Sequence, residues 1–452
     1  MLRLQGDTLV VFVSDSHIGG NPGCDGFESP GELRALFEEL AGRDGPVELI
    51  LAGDLFDFLQ ISPPSGGLDR ATLTMSRPEY KELFAALARF NTGERKRVVY
   101  LPGNHDAEMW WNPKIQETLR EWGLVDDFAL SYVASFEVGG ERRIVYCEHG
   151  NQFDPANIVE NYEDPLDTPL GYHVVTDFTR RVAPFGEVSR GLDLSEIKNV
   201  YPLVAIPHWI ASRYFYDFAG KVAAYLLLPL LAAYVVYRTV ALFLAFGRDD
   251  PAWFFGNYRE LLPVHRFFLD IGFYGLVVLL IFAIFFLVVR RIVRRILTTV
   301  SLKQKPSYSP AASSQEKIRS ILAGETPPLM ASSGETGKKI DVFVSGHTHL
   351  PSLVEVEKPD GGRGVMLNSG CWLRQLQPVP PHLKGPPVFV SKFVLTHARV
   401  YVQDSTLRVE LWEHPKPAEQ RLTRVERLFS WRRRPPQPRA DSKPHVRSAA
   451  VL

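Results

Sequence analysis

The chain has 452 residues, with 51 basic and 51 acidic side chains, so it exceeds one ordinary domain and gives no whole-chain case for nucleic-acid binding. Its three cysteines, Cys24, Cys147 and Cys371, are too few for a disulfide framework at this length; they fit buried packing in a reduced compartment. The even total hides a skew, because basic residues crowd after the second of two apolar runs and in the C-terminal tail.

The N-terminus runs directly into an apolar strand, which leaves no room for a cleaved secretory signal. That strand, Val11–Phe–Val–Ser14, delivers Asp15 and His17, and the glycines at 19, 20 and 23 follow as a loop. Apolar spacing predicts a helix over Ser29–Gly42, with Leu33, Leu36, Phe37 and Leu40 on one face. Strand Val47–Ala52 then delivers Asp54 and Asp57, so the segment reads as a β–α–β unit, whose ligands bind at strand carboxyl ends. A second helix, about Arg77–Phe90, feeds strand Arg97–Leu101, which ends in Asn104–His105–Asp106. Helix Pro113–Gly123 leads to a hairpin centred on Gly139–Gly140 that closes on Cys147–Glu–His149. Much later, Val342–Ser345 ends in Gly346–His347–Thr–His349, followed by antiparallel pairs Ser352–Glu357 with Gly364–Asn368 and Phe393–Gln403 with Leu407–Trp412.

Each of these apolar strands brings Asp, Asn or His to its carboxyl end, so the polar groups can converge at one sheet edge. Hard oxygen donors mixed with imidazole suit manganese, iron or zinc better than calcium. The motifs DSH, GDLFD, GNHD, a later His-Gly and GHTH resemble the calcineurin-like metallophosphoesterases, over residues 1 to about 155 and again about 338 to 412. The resemblance implies an α/β fold, a β-sandwich core flanked by helices, holding two divalent metal ions. It assigns one ion to Asp15, His17, Asp54 and His349, and the other to Asp54, Asn104, His149 and His347, with Asp54 as the bridge. His105 then matches the histidine beside the substrate phosphoryl group, and Asp106 its orienter. Asp57 reads either as a support for a metal-bound histidine or as a loop residue. Asn368–Ser–Gly–Cys–Trp372 resembles the loop that approaches the site in many relatives, a plain turn being the alternative. Motif order is also similar to the UDP-2,3-diacylglucosamine pyrophosphohydrolases, interfacial enzymes that typically carry Arg where this chain has His105 and lack its apolar insertion.

The core is thus read in two parts, 1–165 and 340–412, separated by an insertion, 166–300, and a linker, 301–339, that holds one short helical stretch, Gln315–Leu322, with a basic, partly disordered tail over 413–452. The insertion holds two apolar runs, about 222–246 and 271–289, the second uncharged and long enough for a hydrocarbon core of ~30 Å. The first requires Arg238 to snorkel or to face its partner. Together they predict a transmembrane hairpin. Arg290, Arg291, Arg294 and Arg295 flank it, so the positive-inside rule puts the catalytic halves in the cytoplasm and the 247–265 loop outside. Ile206–Phe218, rich in aromatics, reads as a segment lying along headgroups, its His208 included. In the tail Leu422, Val425, Leu428, Phe429 and Trp431 predict a short amphipathic helix ahead of an arginine triplet.

The expected function is therefore hydrolysis of a phosphate-containing, lipid-linked substrate by a multi-pass membrane enzyme, with no nucleic-acid partner. A membrane-tethered enzyme for a soluble nucleotide or phosphoprotein, and a non-catalytic membrane scaffold, are the alternatives.

Overall fold

The computed structural model describes residues 2–20, 26–61, 68–173, 176, 194–202, 205–245, 261–303, 310–332, 339–382 and 385–452. Its strands are β1 (Leu2–Arg3), β2 (Leu9–Val13), β3 (Val47–Ala52), β4 (Lys96–Leu101), β5 (Asp127–Phe128), β6 (Tyr132–Val138), β7 (Glu141–Cys147), β8 (Val342–Ser345), β9 (Ser352–Glu357), β10 (Arg363–Asn368), β11 (Trp372–Val379), β12 (Val388–Gln403), β13 (Thr406–Glu413) and β14 (His445–Val451). One sheet has the order β14–β13–β12–β2–β3–β4–β5, with β11 also paired to β12, and the other β1–β6–β7–β8–β10–β9. Strands β2, β3 and β4 run parallel, as do β7 and β8, so their carboxyl ends share directions within each sheet.

Strand alternation builds the layers. Leu9, Val11 and Val13 of β2 face one side, while Val10 and Phe12 face the other, and β3 and β4 alternate likewise. Between the sheets, Val10, Phe12, Ile50 and Val99 meet Val145, Val342, Val344 and Val365. On the outer face of the larger sheet, helices α1 (Pro30–Ala41) and α2 (Lys81–Asn91) bury Leu33, Leu36, Phe37, Leu83 and Phe90. The sandwich core flanked by helices is the expected one.

Several expectations are corrected. The second helix begins at Lys81, because the Pro78 ring disfavours a helical Arg77 and the chain turns before it enters the helix. The segment read as a linker contains helix α6 (Pro310–Leu322), whose Ile318, Ile321 and Leu322 cover Ile144, Tyr146 and Phe343 of the smaller sheet. It is a layer of the core. Similarly, Ile206–Phe218 belongs to helix α3 (Ile206–Val222), which buries Trp209, Phe215 and Tyr216 against β11 and β12 and exposes only part of its aromatic set, Tyr214 and Phe218. The tail is folded: its short helix, as expected, is present as α7 (Arg424–Phe429) and packs on α3, and β14 pairs antiparallel with β13.

Helices α4 (Leu228–Ala245) and α5 (Pro263–Lys303) carry the apolar runs, α4 following a π-helical turn at Ala223–Leu227. Among the described residues one segment, Pro263–Ile281, is long and apolar enough by length and composition to cross a membrane, and Leu228–Tyr237 is apolar but shorter. The side chain of Arg238, the 246–260 loop and Cys24 lie outside what is described.

Candidate metal centre

The carboxyl ends of β2, β3, β4, β7 and β8 open on one edge of the sandwich, and each turn there carries predicted residues. Five of those residues hold left-handed backbone, Asp15 at φ 52°, His17 at 48°, Asp54 at 53°, His347 at 64° and His349 at 55°. Such conformations cost roughly 1–3 kcal/mol each and persist only where the surroundings over-determine them. Here the Asp15 N–H donates to the Gly53 carbonyl at 3.1 Å and the His17 N–H to that of Asp54 at 2.9 Å, lacing the first two loops together. The His347 N–H donates to both Asp15 carboxylate oxygens, at 3.1 and 3.0 Å. Gly53, at φ 85°, leaves room for the His149 ring, which a methyl group would overlap.

The side chains converge as well. His349 Nε2 lies 3.0 Å from His17 Nε2 and 3.0 Å from Asp15 Oδ1, and His17 Nε2 is 3.7 Å from Asp54 Oδ2. These are the four residues expected to share one ion. For the other expected set, His149 Nε2 is 3.3 Å from Asp54 Oδ2, and His347 Nδ1 is 3.1 Å from Asn104 Oδ1. The His149 and His347 rings bring the two pairs together, with centroids 5.4 Å apart. Three overlapping groups of potential ligand atoms result, Asp15–His17–His349, Asp15–Asp54–His149 and His17–Asp54–His105, each within 4.8 Å.

The donor chemistry fits divalent cations. His149 Nδ1 lies 2.9 Å from the Ala52 carbonyl, which accepts its N–H and aims the buried Nε2, which has no hydrogen-bond partner, at Asp54. Likewise, His347 Nε2 is 3.0 Å from Asp154 Oδ2, so its Nδ1 lone pair faces the Asn104 oxygen. Two acceptors that close repel each other unless a cation lies with them. The electrostatics agree: burial opposes charge on His149, yet Asp54 and Asp15 outweigh it and raise its pKa to about 10. A coordinating cation displaces that proton.

His105 stands at the edge of this cluster, its ring 4.5 Å from that of His17, and its Nδ1 meets Asp57 Oδ1 at 3.0 Å. Burial lowers its pKa, but Asp57 and Asp54 prevail and lift it to about 9. Asp57 is therefore the orienter of His105, and the expectation for Asp106 is corrected. The Asp106 carboxylate faces inward and accepts from Leu55 N at 2.8 Å, Gly103 N at 2.7 Å and the Tyr100 hydroxyl at 2.5 Å, clamping the second loop to the third. With Phe56 N also donating, at 3.4 Å, four donors occupy the carboxylate, so it stabilises the loops that present Asp54 and His105.

The Asn368–Trp372 loop does approach the site, as a brace. Trp372 N donates to the Asp15 carbonyl at 3.1 Å, and Asn368 Nδ2 to Thr348 Oγ1 at 3.1 Å. Cys147 and Cys371 are buried free thiols, as expected. Two neighbours of the site carry no sequence signal. Asp154 follows His149 by five residues with nothing to mark it as the partner of His347. Tyr201, from the insertion, lays its ring over that of His349 with centroids 4.9 Å apart, and its N–H donates to the Leu376 carbonyl at 3.1 Å.

A family model described as calcineurin-like phosphoesterase matches residues 8–229. The match takes in the first four clusters and stops short of His347 and His349, which the fold itself brings to them. A search of curated proteins finds no match. With its motif-bearing loops, its clustered Asp and His groups and this match, the chain carries a calcineurin-like phosphoesterase domain and is a metal-dependent phosphoric ester hydrolase.

Proposed function

We propose that the protein is a membrane-anchored phosphoesterase that cleaves a phosphoester or pyrophosphate bond in a lipid-linked substrate at the cytoplasmic face. Asp15, His17, Asp54 and His349 would hold one divalent cation and Asp54, Asn104, His149 and His347 a second, drawn from manganese, iron or zinc. When bound, such a pair supplies Lewis acidity toward the phosphoryl oxygens and an activated water as nucleophile. Asp54 keeps the two subsites adjacent. Asp57 takes the Nδ1 proton of His105 in a hydrogen bond, leaving Nε2 to donate a proton to the departing oxygen as its bond to phosphorus breaks. No serine or cysteine nucleophile is needed, and both described cysteines are buried.

The observation that carries the chemistry is the left-handed backbone at Asp15, His17, Asp54 and His349, a costly arrangement that goes with convergence of their acceptor atoms. Asp54→Ala or His349→Ala, with circular dichroism unchanged, is expected to lower hydrolysis of an aryl phosphodiester by at least about a hundredfold. Full activity in either variant would overturn the assignment.

Lipid is favoured as substrate because the insertion both touches the centre, through Tyr201 on His349, and carries helices whose Leu228, Leu230, Leu276, Leu279 and Leu280 are exposed. Exposed apolar surface of that extent marks a membrane or protein partner. Purified in detergent, the enzyme is expected to turn over lipid phosphates in mixed micelles faster than soluble nucleotides or phosphopeptides. The reverse preference would leave the membrane as a mere tether.

A further inference from the structure

We propose that Arg421–Arg434 forms a docking face for anionic lipid headgroups at the base of the apolar helices, an inference that rests on the membrane reading above. Six arginines of this segment, at 421, 424, 427, 432, 433 and 434, are exposed. Its single acid, Glu426, is buried, closing a capping box with Thr423 and standing 3.6 Å from Arg213. The outward charge is therefore all positive. Between the arginines, Leu428 and Trp431 are each 58% exposed, and Arg432 lies over the Trp431 ring at 5.0 Å. Guanidinium forks beside an exposed indole match an interface where phosphate oxygens lie above apolar chains.

Position supports the assignment. Helix α7 rests on the last turns of α3: Phe429 meets Tyr216 with ring centroids 5.3 Å apart, and Gly220 lets Val425 approach to 3.6 Å of where a Cβ would stand. Three residues beyond Gly220 the apolar stretch begins at Ala223. Tyr234 on α4 donates its hydroxyl to the Asp270 carbonyl on α5 at 3.0 Å and stacks on Tyr274, so the two helices run side by side. Helix α5 also packs against α3. The arginines of this segment thus stand where the apolar stretch leaves the folded core, as polybasic segments do at an anionic leaflet.

The test uses the full chain in phosphatidylcholine nanodiscs made with or without phosphatidylglycerol, and follows trypsin cleavage after Arg432 and Arg433. Phosphatidylglycerol is expected to slow cleavage by about tenfold or more, and raised salt to restore it by screening. Trp431→Ala is expected to weaken the protection and to leave aryl phosphodiester hydrolysis unchanged. Equal cleavage in both discs, with the chain incorporated, would overturn the inference and leave the membrane reading standing. Protection by added RNA but not by phosphatidylglycerol would replace lipid with nucleic acid and also overturn it. A chain that stays soluble without detergent and enters neither disc would remove the membrane reading itself.

Discussion

A methyl group on Gly103 would occupy the volume of the Asp54 carboxylate, which hangs from a different loop. Gly103→Ala therefore pushes aside the acid expected to serve both subsites, while the strands beneath keep their pairing. Purified Gly103→Ala is expected to lose most of its bound metal by elemental analysis, with a wild-type circular dichroism spectrum; undiminished metal content would sink the shared role of Asp54. Residues of this kind were legible because motif grammar puts Asp15, His17, Asp54, Asn104, His149, His347 and His349 at strand ends. The supporting contacts were not. Asp57 and Asp106 both flank the same motifs, and only the third dimension shows that Asp57 meets His105 while Asp106 ties two loops together. Asp154 and His347 are 193 residues apart, and no spacing code links them.

At the next scale, strand β12 and the residue that follows β13 carry a buried pair that sequence periodicity does not disclose. His397 Nδ1 lies 3.0 Å from His414 Nε2, Arg399 Nε donates to His397 Nε2 at 2.8 Å, and the Trp372 ring lies 4.9 Å from that of His414. Burial and then Arg399 depress His414 from 6.5 to about 4, and the same two causes hold His397 well below 6.5. Both rings stay neutral in the folded chain, whereas the unfolded chain takes up protons below its ordinary histidine pKa. Stability is then full above pH 6.5 and falls as pH drops toward about 4, by about 3 kcal/mol for His414 alone. Urea midpoints measured across that window should decline in the wild type and less steeply in His414→Gln; identical slopes would locate the acid sensitivity elsewhere. A second element-scale test concerns the insertion. Trp209 is fully buried against Leu376 and Phe389, so Trp209→Ala is expected to cost about 3–5 kcal/mol in denaturation, and a change below about 1 kcal/mol would mean that α3 does not pack as described. Helix α3 was misread because its aromatics also satisfy the pattern of a lipid-facing segment; composition alone does not say which surface a stripe of Trp, Phe and Tyr covers.

For the molecule as a whole, the sandwich was readable from its β-branched runs, whereas closure of its edge was not. Strand β14, with Arg447, Ser448 and two alanines, lacks the apolar alternation that marks a strand, and it is held by backbone pairing to β13, with Ala450 buried. It covers the open edge of the larger sheet. Truncation before His445 is expected to leave the unpaired N–H and C=O groups of β13 facing solvent and to make the protein self-associate in light scattering; a monodisperse truncated protein would show that β13 needs no cover.

The place of β12 in that sheet has a consequence for biosynthesis. It supplies the neighbour of β2, pairing Ala398 with Phe12 and Val400 with Val10. The strand that ends in Asp15 and His17 therefore waits, one side open, until residues nearly four hundred positions downstream have left the ribosome. By then the apolar stretches have already emerged, so they meet their surroundings before the catalytic groups are gathered. A nascent chain is therefore expected to stay hydrolytically silent until β12 has been made.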